Sequence, residues 1–350
     1  MLALVVATFV LAWLTWRYVE QPFRRNPTPF LSRRSALFAS CAAAGLGFVT
    51  LGAAGHLTNG ARPVWMQVHA EIAESFLRIE RAESQATMRG DGVCRFNVSH
   101  ITAAVEQRLS NCHERFGPAV VVLGDSHAAD LFGVVAGRSD SQPFTVGLTS
   151  GGCRPHDPNP ACQYDDFLRL VRTHGDWFDL VIYEQAGFYL LTRDGVTPGD
   201  REIFESVPRT GRVPDLKVNG AYVDSVVHYL SMVARYVPVV WLGPRVEPHI
   251  PLRQTLRASC DESFMLRDNQ AEAFARLDQY LRSRLTGTGL GFLSQNDAFS
   301  FQFPRDFWDC RQLYWSDGDH LSEAGERLFG GRADIAGLAR SAAATARRAQ

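Results

Sequence analysis

Two short segments carry the side chains best suited to covalent chemistry. One is Gly124-Asp125-Ser126-His127, directly after the apolar run Ala119–Leu123. The other is Asp317-Gly318-Asp319-His320, near the C-terminus. The first puts a hydroxyl at a strand end, and the second puts an imidazole three residues after a carboxylate. Ser126 can act as nucleophile, His320 as its general base and Asp317 as the group that fixes the imidazole tautomer. That is the chemistry of acyl transfer through a serine ester. Asp319 is the other candidate orienter, but its adjacency to His320 gives it the poorer geometry. Each segment also has a plainer reading: Asp125-Ser126 as a helix N-cap, and Asp-Gly-Asp as a surface turn before a helix opened by Ser322. A helix beginning near Ala128 would point its unpaired N–H groups and positive dipole end at the oxyanion formed when Ser126 attacks a carbonyl.

The elements that must position these groups alternate. Short valine-rich apolar runs stand at 119–123, 144–148, 180–183 and 237–242, with a weaker one at 291–293. Such runs read as strands buried on both faces. Helical stretches lie between them at 165–172, 218–235 and 269–285. The alternation predicts an α/β fold, a parallel sheet sandwiched between crossover helices. Residues 193–217 read as a long loop. Ser126, Gly151, Gln185 and the Gly243-Pro244 turn all follow strand ends, where such folds place their chemistry.

The N-terminal part is different. Residues 1–16 carry no charge, and neither do residues 35–55. A bilayer needs about 20 helical residues, so the second stretch predicts a transmembrane helix, and the first predicts another if it extends to Tyr18. The intervening loop holds Arg17, Arg24, Arg25, Arg33 and Arg34 against Glu20. The positive-inside rule puts that loop in the cytoplasm and everything after His56 on the far side. The expected order is a transmembrane helix at 1–18, a basic cytoplasmic loop at 19–34, a second transmembrane helix at 35–55, a linker with an amphipathic helix at 56–90, and a catalytic domain at 91–345. Cys41 falls inside the second span. Cys94, Cys112, Cys153, Cys162, Cys260 and Cys310 all fall in the exported part, where an even count reads as disulfides. Sequence proximity favours 94–112 and 153–162, which leaves 260–310.

With 46% hydrophobic and 21% charged residues and a formal net charge of −1, the 350-residue chain is a folded protein without the basic signature of a nucleic-acid binder. No Cys/His spacing of the zinc type occurs, so no metal site is expected. His127 either lines the site or is structural. Trp177, Trp241, Trp308 and Trp315 read as core before they read as sugar-stacking platforms. The pairs Asp165-Asp166 and Asp306/Asp309 read as solvated or capping.

Taken together, these segments resemble the SGNH (GDSL-like) hydrolases, whose first block is similar to 124–127 and whose last is similar to Asp317-x-x-His320. Thr149-Ser150-Gly151-Gly152-Cys153-Arg154-Pro155 and Trp241-Leu242-Gly243-Pro244-Arg245-Val246-Glu247-Pro248 resemble segments of the SGNH domains fused to membrane acyltransferases of family 3. Arg17-Tyr18-Val19-Glu20-Gln21-Pro22-Phe23-Arg24 is similar to the end of the acyltransferase-3 membrane part. The resemblance implies Ser126 as nucleophile, His320 as base and Asp317 as orienter. It implies an oxyanion hole from the Ser126 N–H and a glycine N–H, Gly151 in preference to Gly152. The general family also has a Gly-x-Asn block. Here that strand end reads Tyr183-Glu184-Gln185-Ala186-Gly187, and Gln185 is the candidate replacement for the asparagine.

What the resemblance implies about function is O-acyl transfer, in particular O-acetylation, to a bacterial cell-envelope glycan. The catalytic domain would lie in the periplasm and the anchor in the inner membrane. No cofactor would be bound. The acetyl donor, such as acetyl-CoA, would be used upstream by a separate acyltransferase-3 membrane protein, or else the chain is a truncated fusion. The expected partners are an envelope polysaccharide or oligosaccharide, membrane lipid and that membrane protein, with no nucleic acid. Two alternatives stand beside this one: a membrane-anchored esterase or deacetylase using water as acceptor, and a non-catalytic glycan-binding or assembly module.

Overall fold

The computed structural model describes residues 9–10, 12–14, 16–17, 21, 34–60, 62–70, 73, 77, 93–137, 143–157, 159, 161–251, 254–255, 263–309 and 312–348. The chain divides into two compact units, Met1–Ala73 and Glu74–Gln350.

The first unit contains helix α1 (Arg34–Leu57), which coincides in position with the second expected span. Its Phe38, Leu46, Phe48, Val49 and Leu51 side chains are exposed. Among the described residues, no helix is long and apolar enough to cross a membrane. Most of residues 1–33 lie outside the described set, as does most of the linker and amphipathic helix expected at 56–90, in which a helix at Arg62–Val68 is seen.

The second unit is built on a six-stranded sheet, paired in parallel throughout. In chain order its main elements are β1 (Arg95–Val98), α2 (Ala103–Phe116), β2 (Ala119–Gly124), α3 (Ser126–Ala136), β3 (Thr145–Thr149), α4 (Tyr164–Thr173), β4 (Phe178–Glu184), α5 (Gly220–Val233), β5 (Val239–Gly243), α6 (Gln270–Leu285), β6 (Gly291–Ser294), α7 (Glu323–Arg332) and α8 (Ile335–Arg348). The strands lie in the order β1-β3-β2-β4-β5-β6. A small ribbon pairs Leu191–Thr192 with Lys217–Val218, at the borders of the expected loop 193–217.

The continuous apolar runs are explained by burial on both faces. Along β2, Ala119, Val121 and Leu123 enter one apolar cluster, while Val120 and Val122 enter the other. The two-residue alternation of a strand sends successive side chains to opposite faces. The first cluster is completed by α2, α4, α5 and α6, and the second by α3, α7 and α8. The result is the expected three-layer sandwich. β1 was not expected from the sequence: in Arg95-Phe96-Asn97-Val98 only Phe96 is fully buried, as suits an edge strand.

Two disulfides match the proximity reading. Cys94–Cys112 ties the start of β1 to α2, and Cys153–Cys162 closes the loop after β3. Cys260 and Cys310 lie outside the described residues.

The topology also fixes where a ligand can enter. β3 and β4 flank β2 on opposite sides, so the connections leaving β2 and β3 diverge at the carboxyl end of β2. In open parallel sheets that switch point forms the crevice that binds ligands. Ser126 stands there.

Candidate active site

The turn from β2 into α3 is built on Gly124 and Asp125. Gly124 has φ +155°, and a Cβ there would lie 1.8 Å from the Glu184 carbonyl oxygen, so only glycine lets β2 approach β4 this closely. Asp125 is the N-cap of α3 and is fully buried. One carboxylate oxygen accepts from His127 N and the other from Ala186 N, both at 3.0 Å. Capping therefore falls to Asp125, and Ser126 becomes the first residue of the helix with its hydroxyl free for another partner. Burial raises the Asp125 pKa, against the hydrogen bond from Ala186 and the charge of Arg154.

That partner comes from the far end of the chain. His320 Nε2 lies 2.8 Å from Ser126 Oγ. His320 Nδ1 lies 2.8 Å from Asp317 Oδ2, and the other Asp317 oxygen accepts from His320 N at 2.9 Å. Asp317 thus grips both the ring and the backbone of the residue three positions on. Gly318 between them has φ +100°, and a Cβ there would meet the Ile250 carbonyl oxygen at 2.3 Å.

Asp319 is closer to the imidazole than adjacency suggested. Its Oδ1 is 3.3 Å from His320 Nδ1, and its Oδ2 is 2.7 Å from a guanidinium nitrogen of Arg201. His320 therefore faces two carboxylates, with Asp317 the nearer. Burial disfavours the imidazolium, but the hydrogen bonds it donates to Asp317 and Asp319 and the charge of Asp130 outweigh it, and the His320 pKa is raised to about 11. Burial opposes the Asp319 carboxylate as well, yet His127 and His320 hold its pKa well below the usual range.

His127 is structural in its surroundings and lines the site as well. It is buried, its ring lies edge-on to His320 with centroids 4.9 Å apart, and its nitrogens face Glu247 at 3.7 Å and Asp319 at 3.8 Å. Burial, together with the Arg245 charge, lowers its pKa well below the ordinary value and keeps the ring neutral. His127, Asp319 and His320 are the described residues that come close enough together to hold a metal ion. As a donor set they fit one poorly. Both nitrogens of His320 are already engaged by Ser126 and Asp317, and Arg201 already neutralises Asp319.

The loop after β3 brings Gly151 against Ser126: a Cβ on Gly151 would sit 4.0 Å from Ser126 Cβ. The loop is anchored by the Cys153–Cys162 bridge and by Tyr164 Oη, which donates to the Cys153 carbonyl at 2.9 Å. Gln163 adds a clasp the sequence did not reveal, donating to the carbonyls of Gly124 and Leu148 at 2.8 and 3.0 Å. Gln185 is buried. Its side-chain oxygen accepts from Tyr183 Oη at 2.6 Å, and its amide nitrogen has no hydrogen-bond partner among the described residues.

Behind the site lies a buried ion network. Arg245, fully buried, donates to Glu184 at 2.9 Å, to the Asp319 carbonyl at 3.1 Å and to Asp130. Burial raises Glu184 to about 8 and Asp130 to about 6, in each case against the charge of Arg245. The remaining sequence candidates lie elsewhere. Trp241 and Trp315 are core residues. Asp306 is buried, paired with Arg332 at 2.6 Å, and accepts from Gln302 N at 2.6 Å, so of the two expected readings it caps a turn and is not solvated.

The SGNH domain family, described as fused to AT3 domains, matches residues 85–334. The chain belongs to this family. No curated protein sequence matches it. Among solved structures, it is similar to the periplasmic domain of a lipopolysaccharide acetyltransferase from Salmonella ser. Paratyphi A, at 14% identity and a TM-score of 0.45, over 69% of this chain and 89% of that one. It is also similar to a Slackia heliotrinireducens protein described as a candidate SGNH hydrolase, at 18% identity and a TM-score of 0.37, over 63% and 97%. Within an SGNH domain, a serine, histidine and aspartate linked in series make an acyl-transferring or hydrolytic enzyme.

Proposed function

We propose that this SGNH domain is an O-acyltransferase that acetylates a glycan of the bacterial cell envelope. The observation that carries the reading is the continuous relay from Asp317 through His320 to Ser126 at the switch point of the sheet. His320 Nε2 takes the hydroxyl proton as Ser126 Oγ attacks the acyl carbon of an activated ester or thioester. The oxyanion is held by the N–H groups of Ser126 and Gly151, with the unpaired amide of Gln185 as third donor. Collapse breaks the bond to the leaving group, which takes the proton from His320 and departs. An acceptor hydroxyl then gives its proton to His320 and attacks the serine ester. Ser126 leaves with that proton, and the acyl group stays on the sugar.

The acceptor and the location rest on the family's association with AT3 domains. In this reading the N-terminal segment, residues 1–55, anchors the chain in the inner membrane. The SGNH domain works in the periplasm, where its disulfides persist. A separate membrane acyltransferase delivers the acetyl group from a donor such as acetyl-CoA. No cofactor is bound by the SGNH domain itself.

One observation favours a second reading, an esterase. Gly151 and Gly152 are exposed and Ser126 is half-buried, so water reaches the nucleophile. The two readings part at the second step. The full chain in detergent is given an aryl acetate with and without envelope oligosaccharides. Transfer predicts acetylated sugar in wild type and none in Ser126→Ala. Aryl release with only free acetate, whatever sugar is supplied, overturns transfer in favour of hydrolysis.

A further inference from the structure

The relay places its base on an irregular loop, and loops do not hold a ring to a fraction of an ångström unaided. The backbone on both sides of His320 is tied to one buried pair. On the N-terminal side, the Asp319 carbonyl accepts from Arg245 at 3.1 Å. On the C-terminal side, Leu321 N donates to Asp130 Oδ2 at 2.8 Å. The same Asp130 oxygen accepts from the same guanidinium nitrogen of Arg245. Three hydrogen bonds thus enclose the histidine from behind. Neither Arg245 nor Asp130 contributes an atom to the relay.

The clamp is itself rooted in the sheet. Asp130 stands in the second turn of α3, the helix that Ser126 opens, so nucleophile and clamp share one rigid element. Arg245 follows β5 and is fixed by Glu184, the last residue of β4. Glu184 in turn accepts from Gln295 at 2.7 Å. Burying a guanidinium with two carboxylates is costly unless every group is bonded. Hydrophobic residues would fill the space more cheaply, so stability alone does not account for the pair.

We infer that Arg245 and Asp130 are positioning residues that set the Ser126–His320 separation by clamping the peptide groups on either side of His320. The inference rests on His320 being the base of the proposed reaction. A displacement of about 1 Å in a reacting group can cost about 100-fold in rate, so the effect falls on kcat and leaves KM for a small ester nearly unchanged.

Three variants of the full chain test it with an aryl acetate: Asp130→Ala, Asp130→Asn and Arg245→Lys. Asp130→Ala removes the acceptor of Leu321 N, whereas Asp130→Asn keeps an oxygen in its place. Arg245→Lys keeps the charge but cannot reach three acceptors at once. Each is first checked for a wild-type near-ultraviolet circular dichroism spectrum. The expected result is a fall in kcat of about 100-fold for Asp130→Ala and at least tenfold for Arg245→Lys. KM stays within about twofold, and Asp130→Asn restores most of the activity. The downfield proton resonance of the His320–Asp317 hydrogen bond broadens or shifts in Asp130→Ala and Arg245→Lys and not in Asp130→Asn. Where Asp130→Ala does not fold, Arg245→Lys and the resonance decide. Folded variants with wild-type kcat and an unmoved resonance overturn the inference. Absence of Ser126-dependent turnover in the wild type is a different result, and it overturns the reaction on which the inference rests.

Discussion

His320 Nε2 and Ser126 Oγ lie 2.8 Å apart although 194 positions separate them in the chain. The sheet makes the meeting possible: β2 delivers the serine to the carboxyl edge, and the segment before α7 returns the histidine to the same edge. Asp130, on the serine's own helix, holds the peptide next to the histidine. The serine and the histidine are therefore held together by main-chain contacts as well as by their own hydrogen bond.

Asp317 and Asp319 both face His320 Nδ1, and geometry assigns them different tasks. Asp317, at 2.8 Å and gripping the backbone as well, orients the ring. Asp319 is shared with Arg201 and supplies charge. Asp317→Asn should lower kcat by about a thousandfold or more through the wrong tautomer, and Asp319→Asn by much less. Steady-state kinetics on an aryl acetate decide between them. Equal losses, or a larger loss in Asp319→Asn, would make Asp319 the orienter.

The raised pKa of His320 has a signed consequence. An ordinary histidine titrates near pH 6.5, while the folded protein holds the proton up to about 11. The stabilisation from the protonated ring is therefore fully present below about pH 6.5 and is lost as pH rises through about 11. The stability difference between wild type and His320→Gln should shrink over that window. Catalysis runs the other way, because the base must first be neutral. kcat/KM should climb above neutral pH, with a limb that Asp317→Asn moves to lower pH. A limb at or below pH 6.5 in the wild type would contradict the account.

The two disulfides should separate stability from chemistry. Cys94–Cys112 pins β1 to α2, away from Ser126, so Cys94→Ser with Cys112→Ser should cost about 3 kcal/mol with little change in kcat. Cys153–Cys162 closes the loop that presents Gly151. Its double serine variant should cost about 2–3 kcal/mol and also lower kcat. Chemical denaturation and initial rates on the same samples make the comparison. Identical rates in both variants would remove Gly151 from the oxyanion hole.

The central strands were legible because burial on both faces writes an unbroken apolar run, as in Ala119–Leu123. β1 was not, because its polar Arg95 and Asn97 break the pattern at an edge. Ser126, Asp317 and His320 could be read because their chemistry needs those residue types beside a strand end and a turn. Arg245, Asp130 and Glu184 could not. A buried charge looks like a surface charge in sequence, and partners separated by 115 and 61 positions leave no spacing to read. Gln185 shows the same limit. The sequence offered its amide as an oxyanion donor, but only the fold shows that Tyr183 holds its oxygen and that the nitrogen has no partner among the described residues.

The central claim is that Ser126 carries the acyl group between donor and glycan. The most direct measurement is intact-protein mass spectrometry of the full chain in detergent, quenched after mixing with an aryl acetate and then chased with envelope oligosaccharide. The account predicts one added acetyl group, mapped to Ser126, absent from Ser126→Ala and discharged onto the sugar during the chase. An acetyl group that never forms, that forms equally in Ser126→Ala, or that passes only to water with acceptor present would contradict it.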